Sequence, residues 1–163
     1  MVYLALLVAG GLVLGLFESM IALPVPIVGA KLGISNIVVL TALVLYGFKD
    51  GLLVAILKSL LLMLVTGAVS SFIFSFVGTI LSLFSMYLAL KYLKKSLSLI
   101  GVSLIGASFH NFGQVLCASL ILRTTLIFAY LPILLIIGIF TGFFVGLSTI
   151  YLTKNLMINL GSI

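Results

Sequence analysis

Charge is what this chain lacks. Eight Lys or Arg and two Asp or Glu are spread over 163 residues, and 64% of the sequence is hydrophobic. A soluble domain carries about a quarter charged residues, and ten charges cannot coat a water-facing surface around a core of this size. The solvent for most of the surface must be lipid. A spanning helix needs about 20 residues, so the length sets a ceiling of about seven spans. No stretch is polar enough to form a separate soluble domain. The sequence therefore predicts one all-α integral membrane domain over residues 1–163.

The distribution of the basic residues excludes other classes. The net charge of +6 would suit nucleic acid, but the lysines are scattered and form neither stripe nor run. They read instead as markers of cytoplasmic loops. The single cysteine, Cys117, sits in an apolar run, so no disulfide framework or cysteine metal cluster is expected. No Lys or Arg precedes the first apolar run, which argues against a cleavable signal peptide.

Six transmembrane helices are expected, at about residues 2–23, 35–48, 52–69, 72–93, 99–122 and 130–152. Pro24-Val25-Pro26 followed by Gly29, Lys31 and Gly33 breaks the chain after the first. The second is short for a span and is expected to be tilted or partly buried. Lys49-Asp50-Gly51 reads as a polar turn and Ser70-Ser71 as a tight junction. With the N-terminus inside, the cytoplasmic ends hold Lys49, Lys91, Lys94, Lys95 and Lys154, and the outer ends hold Lys31 and Arg123. That imbalance favours both termini in the cytoplasm.

Small residues at four-residue spacing mark close helix packing. Gly138, Gly142 and Gly146 recur on one face of the sixth helix, and Ala5, Ala9, Gly11 and Gly15 carry the same spacing in the first. Such stripes serve either packing within the bundle or docking of a membrane partner. The Ala5–Ala9 stripe is the better candidate for docking.

Polar groups in hydrocarbon are expensive and mark candidate sites. On the expected topology Glu18, Asn36 and Arg123 lie toward the outside, with Lys58, His110 and Asn111 near the middle and Gln114 one turn above. The inner half reads as mostly aliphatic. This suits a cavity open outward and closed beneath, and does not suit a continuous water pore. Ser103, Ala107, His110, Gln114 and Cys117 form one interior stripe of the fifth helix, with Asn111 about 100° round from His110. These groups serve either a ligand or interhelical hydrogen bonds that lock the bundle. Lys58 either pairs with Glu18 or meets an anionic or carbonyl group of a ligand. Arg123 suits an interface anchor or a ligand contact. One histidine and one nearby carboxylate are too few to bind a metal.

The runs Glu18-Ser19-Met20-Ile21-Ala22-Leu23-Pro24-Val25-Pro26 and Gly29-Ala30-Lys31-Leu32-Gly33-Ile34-Ser35-Asn36-Ile37 resemble the Gx transporter family. Many of its members are labelled heptaprenyl diphosphate synthase component I. Gly101 to Ala107, His110-Asn111, Gly113-Gln114 and Tyr130-Leu131-Pro132 fit the same pattern. Lys58 departs from it, where arginine is expected. That family is similar to the substrate-binding S components of energy-coupling factor importers, six-helix proteins with a pocket facing outward. The resemblance implies a multi-pass protein of a prokaryotic cell membrane that works with a membrane coupling subunit and ATP-binding subunits. It implies docking through Ala5 and Ala9, and a small-molecule pocket using Glu18, Lys31, Asn36, Lys58, His110, Asn111, Gln114 and Arg123. The loop from Leu23 to Gly33 would be the lid. This chain carries no cofactor on that reading, and it has no Walker loop, so ATP would bind the partner subunits.

The family label suggests chemistry that the residues do not support. Prenyl diphosphate synthases hold Mg²⁺ and diphosphate through clustered aspartates. Here Glu18 and Asp50 are the two carboxylates, expected on opposite sides of the membrane, so no catalytic prenyltransferase is expected. An accessory subunit of a prenyl or quinone pathway enzyme is the alternative. The basic excess hints at an anionic or carbonyl-rich substrate and the aliphatic walls at an apolar body. The label suggests an isoprenoid or quinone-related precursor.

Overall fold

The computed structural model describes residues 2–21, 31–93 and 95–160. Residues 22–30, which hold Pro24, Pro26, Gly29 and most of the expected lid, lie outside the described residues, as does Lys94. The described residues form six α-helices and no strand. They are α1 (Val2–Ser19), α2 (Asn36–Tyr46), α3 (Phe48–Thr66), α4 (Val69–Tyr92), α5 (Leu99–Leu122) and α6 (Leu131–Leu160), with a 3-10 turn at Thr125–Tyr130.

Four helices are long and apolar enough to cross a membrane: α1, α4, α5 and the 3-10 turn continuing into α6. The chain is thus a membrane-type helical protein. α3 has the length but carries Lys49, Asp50 and Lys58. α2 has only 11 residues, about 16 Å at 1.5 Å per residue, which is roughly half of a hydrocarbon layer about 30 Å thick. Yet every residue from Asn36 to Leu43 is buried. α2 is a half-length helix enclosed by its neighbours.

Glycines set the register. A Cβ on Gly11 would meet Val38 and the Lys58 stem, and one on Gly15 would meet Leu62 at 2.7 Å. α1 therefore runs alongside α3, with the middle of each helix at one level and Val38 of α2 beside them. The α4–α5 contact is equally close: a Cβ on Gly113 would lie 2.9 Å from Gly78 Cα. On α6, Gly138, Gly142 and Gly146 all face α5, and a Cβ on Gly146 would fall 2.5 Å from Ile100 Cα. This stripe packs within the bundle. The main apolar core gathers Leu7, Val39, Leu40, Val54, Leu83, Met86, Val102 and Val145.

Several expected boundaries shift. Lys49-Asp50-Gly51 is the first turn of α3 and no turn of its own; the chain reverses at Gly47. Asp50 suits that place because its negative charge sits at the positive end of the helix dipole. Ser70 and Ser71 likewise open α4. α3 ends instead at Gly67, in the left-handed conformation (φ 67°) with its N–H on Met63 O, a common helix stop. α1 stops at Ser19, short of residue 23, and α6 continues past Lys154.

The expectation of a mostly aliphatic inner half also needs correction. Ser82, Ser85, Ser103, Thr149 and Thr153 are buried toward the end away from Glu18. Ser85 and Thr153 donate to carbonyls of their own helices at 2.8 Å and 2.7 Å. Ser103 donates to Ile100 O and to Gly142 O across to α6. A hydroxyl can hide in a helix by bonding back one turn. Charges and side-chain amides lack that cheap solution, and those do gather at the other end.

Candidate binding site at the half-helix

α2 begins inside the bundle, and its starting residues carry the site. Asn36 lies level with Lys58, the eleventh of the 19 residues of α3, and with His110, midway along α5. The segment Lys31–Ser35 that leads into it is therefore irregular backbone inside the helical bundle. Such backbone is tolerated only where protein satisfies its hydrogen bonds.

Two side chains from other helices do this. The Glu18 carboxylate at the end of α1 accepts from the backbone N–H groups of Gly33, Ile34 and Ser35. A carboxylate is favoured there because these N–H groups form the positive end of α2. Gln114 from α5 clamps Lys31 at both backbone groups: Lys31 N–H donates to Gln114 Oε1 at 2.9 Å, and Gln114 Nε2 donates to Lys31 O at 2.8 Å. Both side chains are buried, Gln114 completely.

A second chain of bonds runs beneath the segment. Lys58 Nζ donates to Ser35 Oγ at 2.8 Å and to Asn36 Oδ1 at 2.9 Å. Because Lys is only a donor, this bond fixes which end of the Asn36 amide faces α3. The Asn36 Nδ2 then faces His110 Nδ1 at 3.3 Å, an orientation that suits donation to a ring protonated on Nε2. Nε2 is buried and has no partner among the described residues. Gly33 stands over it: φ there is +82°, and a Cβ would lie 3.1 Å from His110 Cδ2 and 3.4 Å from Nε2. Only glycine combines that left-handed backbone with that closeness.

Of the eight residues expected to bind substrate, six meet here: Glu18, Lys31, Asn36, Lys58, His110 and Gln114. Glu18 and Lys58 do not pair directly; both hold Ser35, through its N–H and its hydroxyl. Asn111 is turned away to α6, where its Nδ2 donates to Leu134 O at 2.6 Å. It ties α5 to α6 next to Gly138. Arg123 is exposed at the C-cap of α5, outside the cluster. The residues that sequence reasoning passed over are Gly33 and Ser35. The signal was present: a glycine and a serine immediately precede the first helical residue of α2.

Lys31, Ser59, Thr66 and Ser75 help line a cavity of about 10 Å³ between α3 and α4, the size for one water molecule. At the other end of the bundle an apolar groove of about 640 Å³ is lined by Leu43, Phe48, Tyr87, Leu90, Lys91 and Met157. On α1 the two small-residue pairs part company. Gly11 and Gly15 are buried, while Ala5 and Ala9 are exposed on the opposite face beside Leu6 and Val13.

A family profile described as heptaprenyl diphosphate synthase component I matches residues 7–152. No curated protein and no solved structure matches the chain. The chain belongs to the heptaprenyl diphosphate synthase component I family.

Proposed function

From that membership and from the buried cluster, we propose that the chain is a membrane-embedded substrate-binding subunit of an energy-coupled importer. It works as an S component does, taking up a small organic molecule from outside a prokaryotic cell. The observation that carries this reading is the half-helix: α2 starts level with the middle of α3 and of α5, surrounded by Glu18, Lys58, His110 and Gln114. Broken helices whose ends meet at the midplane are how membrane transporters build substrate sites. A bundle that needed only stability would fill this level with apolar side chains, because each buried polar group there is costly.

On this reading six helices traverse or enter the membrane with both termini in the cytoplasm. The exposed Ala5–Ala9 face of α1 docks a membrane coupling subunit, and ATP is hydrolysed by partner chains. The chain itself is not an enzyme. Glu18 is committed to backbone N–H groups, and Asp50 lies in the first turn of α3, so a diphosphate–Mg²⁺ site has no carboxylate pair to use.

The test is affinity purification from native membranes followed by native mass spectrometry. The expected result is co-purification of ATP-binding subunits together with a retained small molecule, lost in Lys58→Ala. Ala9→Leu should release the partners while leaving the isolated chain folded. A partner set without any ATP-binding protein overturns the reading. A second reading has its own support: the family name speaks of a component of a prenyl diphosphate synthase, and the apolar 640 Å³ groove with Lys91 at its wall suits an isoprenoid chain. Recovery of a soluble prenyl synthase alone would favour this accessory role.

A further inference from the structure

The groups around the start of α2 are nearly all hydrogen-bond donors. Gly33, Ile34 and Ser35 present backbone N–H groups, and Lys58 presents its ammonium. The bond order Lys58–Asn36–His110 turns an amide N–H toward His110 Nδ1, the arrangement that suits a ring protonated on Nε2, and Nε2 has no partner among the described residues. An unmet buried polar atom is costly, and this one lies against Gly33, the first residue bonded to Glu18. The composition leans the same way. Glu18, Lys31 and Lys58 are all buried, so two amines stand around a single carboxylate. Buried charge without a counter-charge is strongly unfavourable.

We propose that the N-terminus of α2 is an anion site filled here from within by the Glu18 carboxylate, and that the transported molecule binds through one carboxylate placed in that same cradle. The ligand carboxylate would accept from the N–H groups of residues 33–35, lie beside Lys58, and give the His110 Nε2–H its acceptor. Glu18, displaced, is then available to Lys31, and every buried charge has a partner. A carboxylate matches the size and charge of the Glu18 group it replaces, whereas a diphosphate is larger and more highly charged. This inference rests on the substrate-binding reading above and names the chemistry of its ligand.

The experiment empties the cradle and offers a free carboxylate. Full-length Glu18→Ala is purified in detergent, and its thermal midpoint is followed against sodium acetate, with sodium chloride of equal ionic strength as control. The midpoint is expected to rise saturably with acetate and not with chloride. The wild-type protein should not respond, because the tethered Glu18 has a far higher effective concentration. Adding Lys58→Met should abolish the response. If Glu18→Ala does not fold, Glu18→Ser, which also leaves the cradle empty, is measured in its place. No acetate response beyond chloride in the variant that folds overturns the site. A response to inorganic phosphate without one to acetate overturns the carboxylate assignment. Either failure leaves co-purification with ATP-binding subunits untouched, so the two readings fall separately.

Discussion

Replacing Gln114 by leucine removes both hydrogen bonds to the Lys31 backbone while keeping most of the side-chain volume. The amide is fully buried, and its two bonds measure 2.9 Å and 2.8 Å. Leucine leaves one N–H and one C=O unsatisfied at membrane depth. At about 1–3 kcal/mol for each orphaned group, the segment should loosen by about 2–4 kcal/mol, allowing for some relaxation. Because every 1.4 kcal/mol is tenfold, local opening should become about 30- to 700-fold more frequent. Amide hydrogen exchange in detergent reads this directly. Exchange should accelerate at residues 31–35, while amides in the α4–α5 contact around Gly78 and Gly113 keep their protection. A global stability assay alone would not suffice, since the loss is placed in one segment. If Gln114→Leu leaves exchange at 31–35 unchanged, the clamp does not hold the segment and the account of the site built on it fails.

Other substitutions test the packing and the acceptor count. Gly146→Val should cost about 1–3 kcal/mol or more through overpacking, because its Cβ meets Ile100 backbone at 2.5 Å; a thermal midpoint unchanged from wild type would refute the α5–α6 register. Gly33→Ala should lose about 1–2 kcal/mol from its left-handed backbone and crowd His110 as well, raising exchange at 31–35. Gly67→Ala, equally left-handed but facing open space, should lower the midpoint without touching that segment. Lys58→Arg keeps the charge but brings five donors to a place with two acceptors, Ser35 Oγ and Asn36 Oδ1; it should destabilise the segment more than its conservative look suggests, and wild-type exchange at 35–37 would count against the bonding described.

The helical bundle was legible because charge and hydropathy are decided locally. Residues such as Lys58, His110 and Gln114 were legible as expensive groups, but their partners were not. Glu18 serves N–H groups 15 to 17 residues away, across a segment whose path no local pattern encodes. His110 and Asn111 are neighbours in sequence, and 100° of helix rotation sends one to the half-helix and the other to Leu134. Lys49 and Asp50 looked like a turn because they are polar, whereas the helix dipole makes Asp50 a good first-turn residue. Among the buried hydroxyls of the far half, Ser85 and Thr153 bond back to their own helices, a solution that periodicity cannot reveal.

The shortness of α2 ties these observations together. A helix that spans the layer leaves its unsatisfied N–H groups at the headgroups, where water serves them. One that starts at mid-depth brings those donors into hydrocarbon, and something negative must meet them. Glu18 is that group, and its charge in turn makes Lys58 tolerable at a level too deep for snorkelling to water. The stem of Lys58 packs on Gly11 of the helix that bears Glu18, so anion, cation and half-helix stand or fall as one unit. Nothing in that unit needs a ligand for its backbone bonds. What it leaves without a partner among the described residues is His110 Nε2, beside the same cradle that the proposed carboxylate would enter.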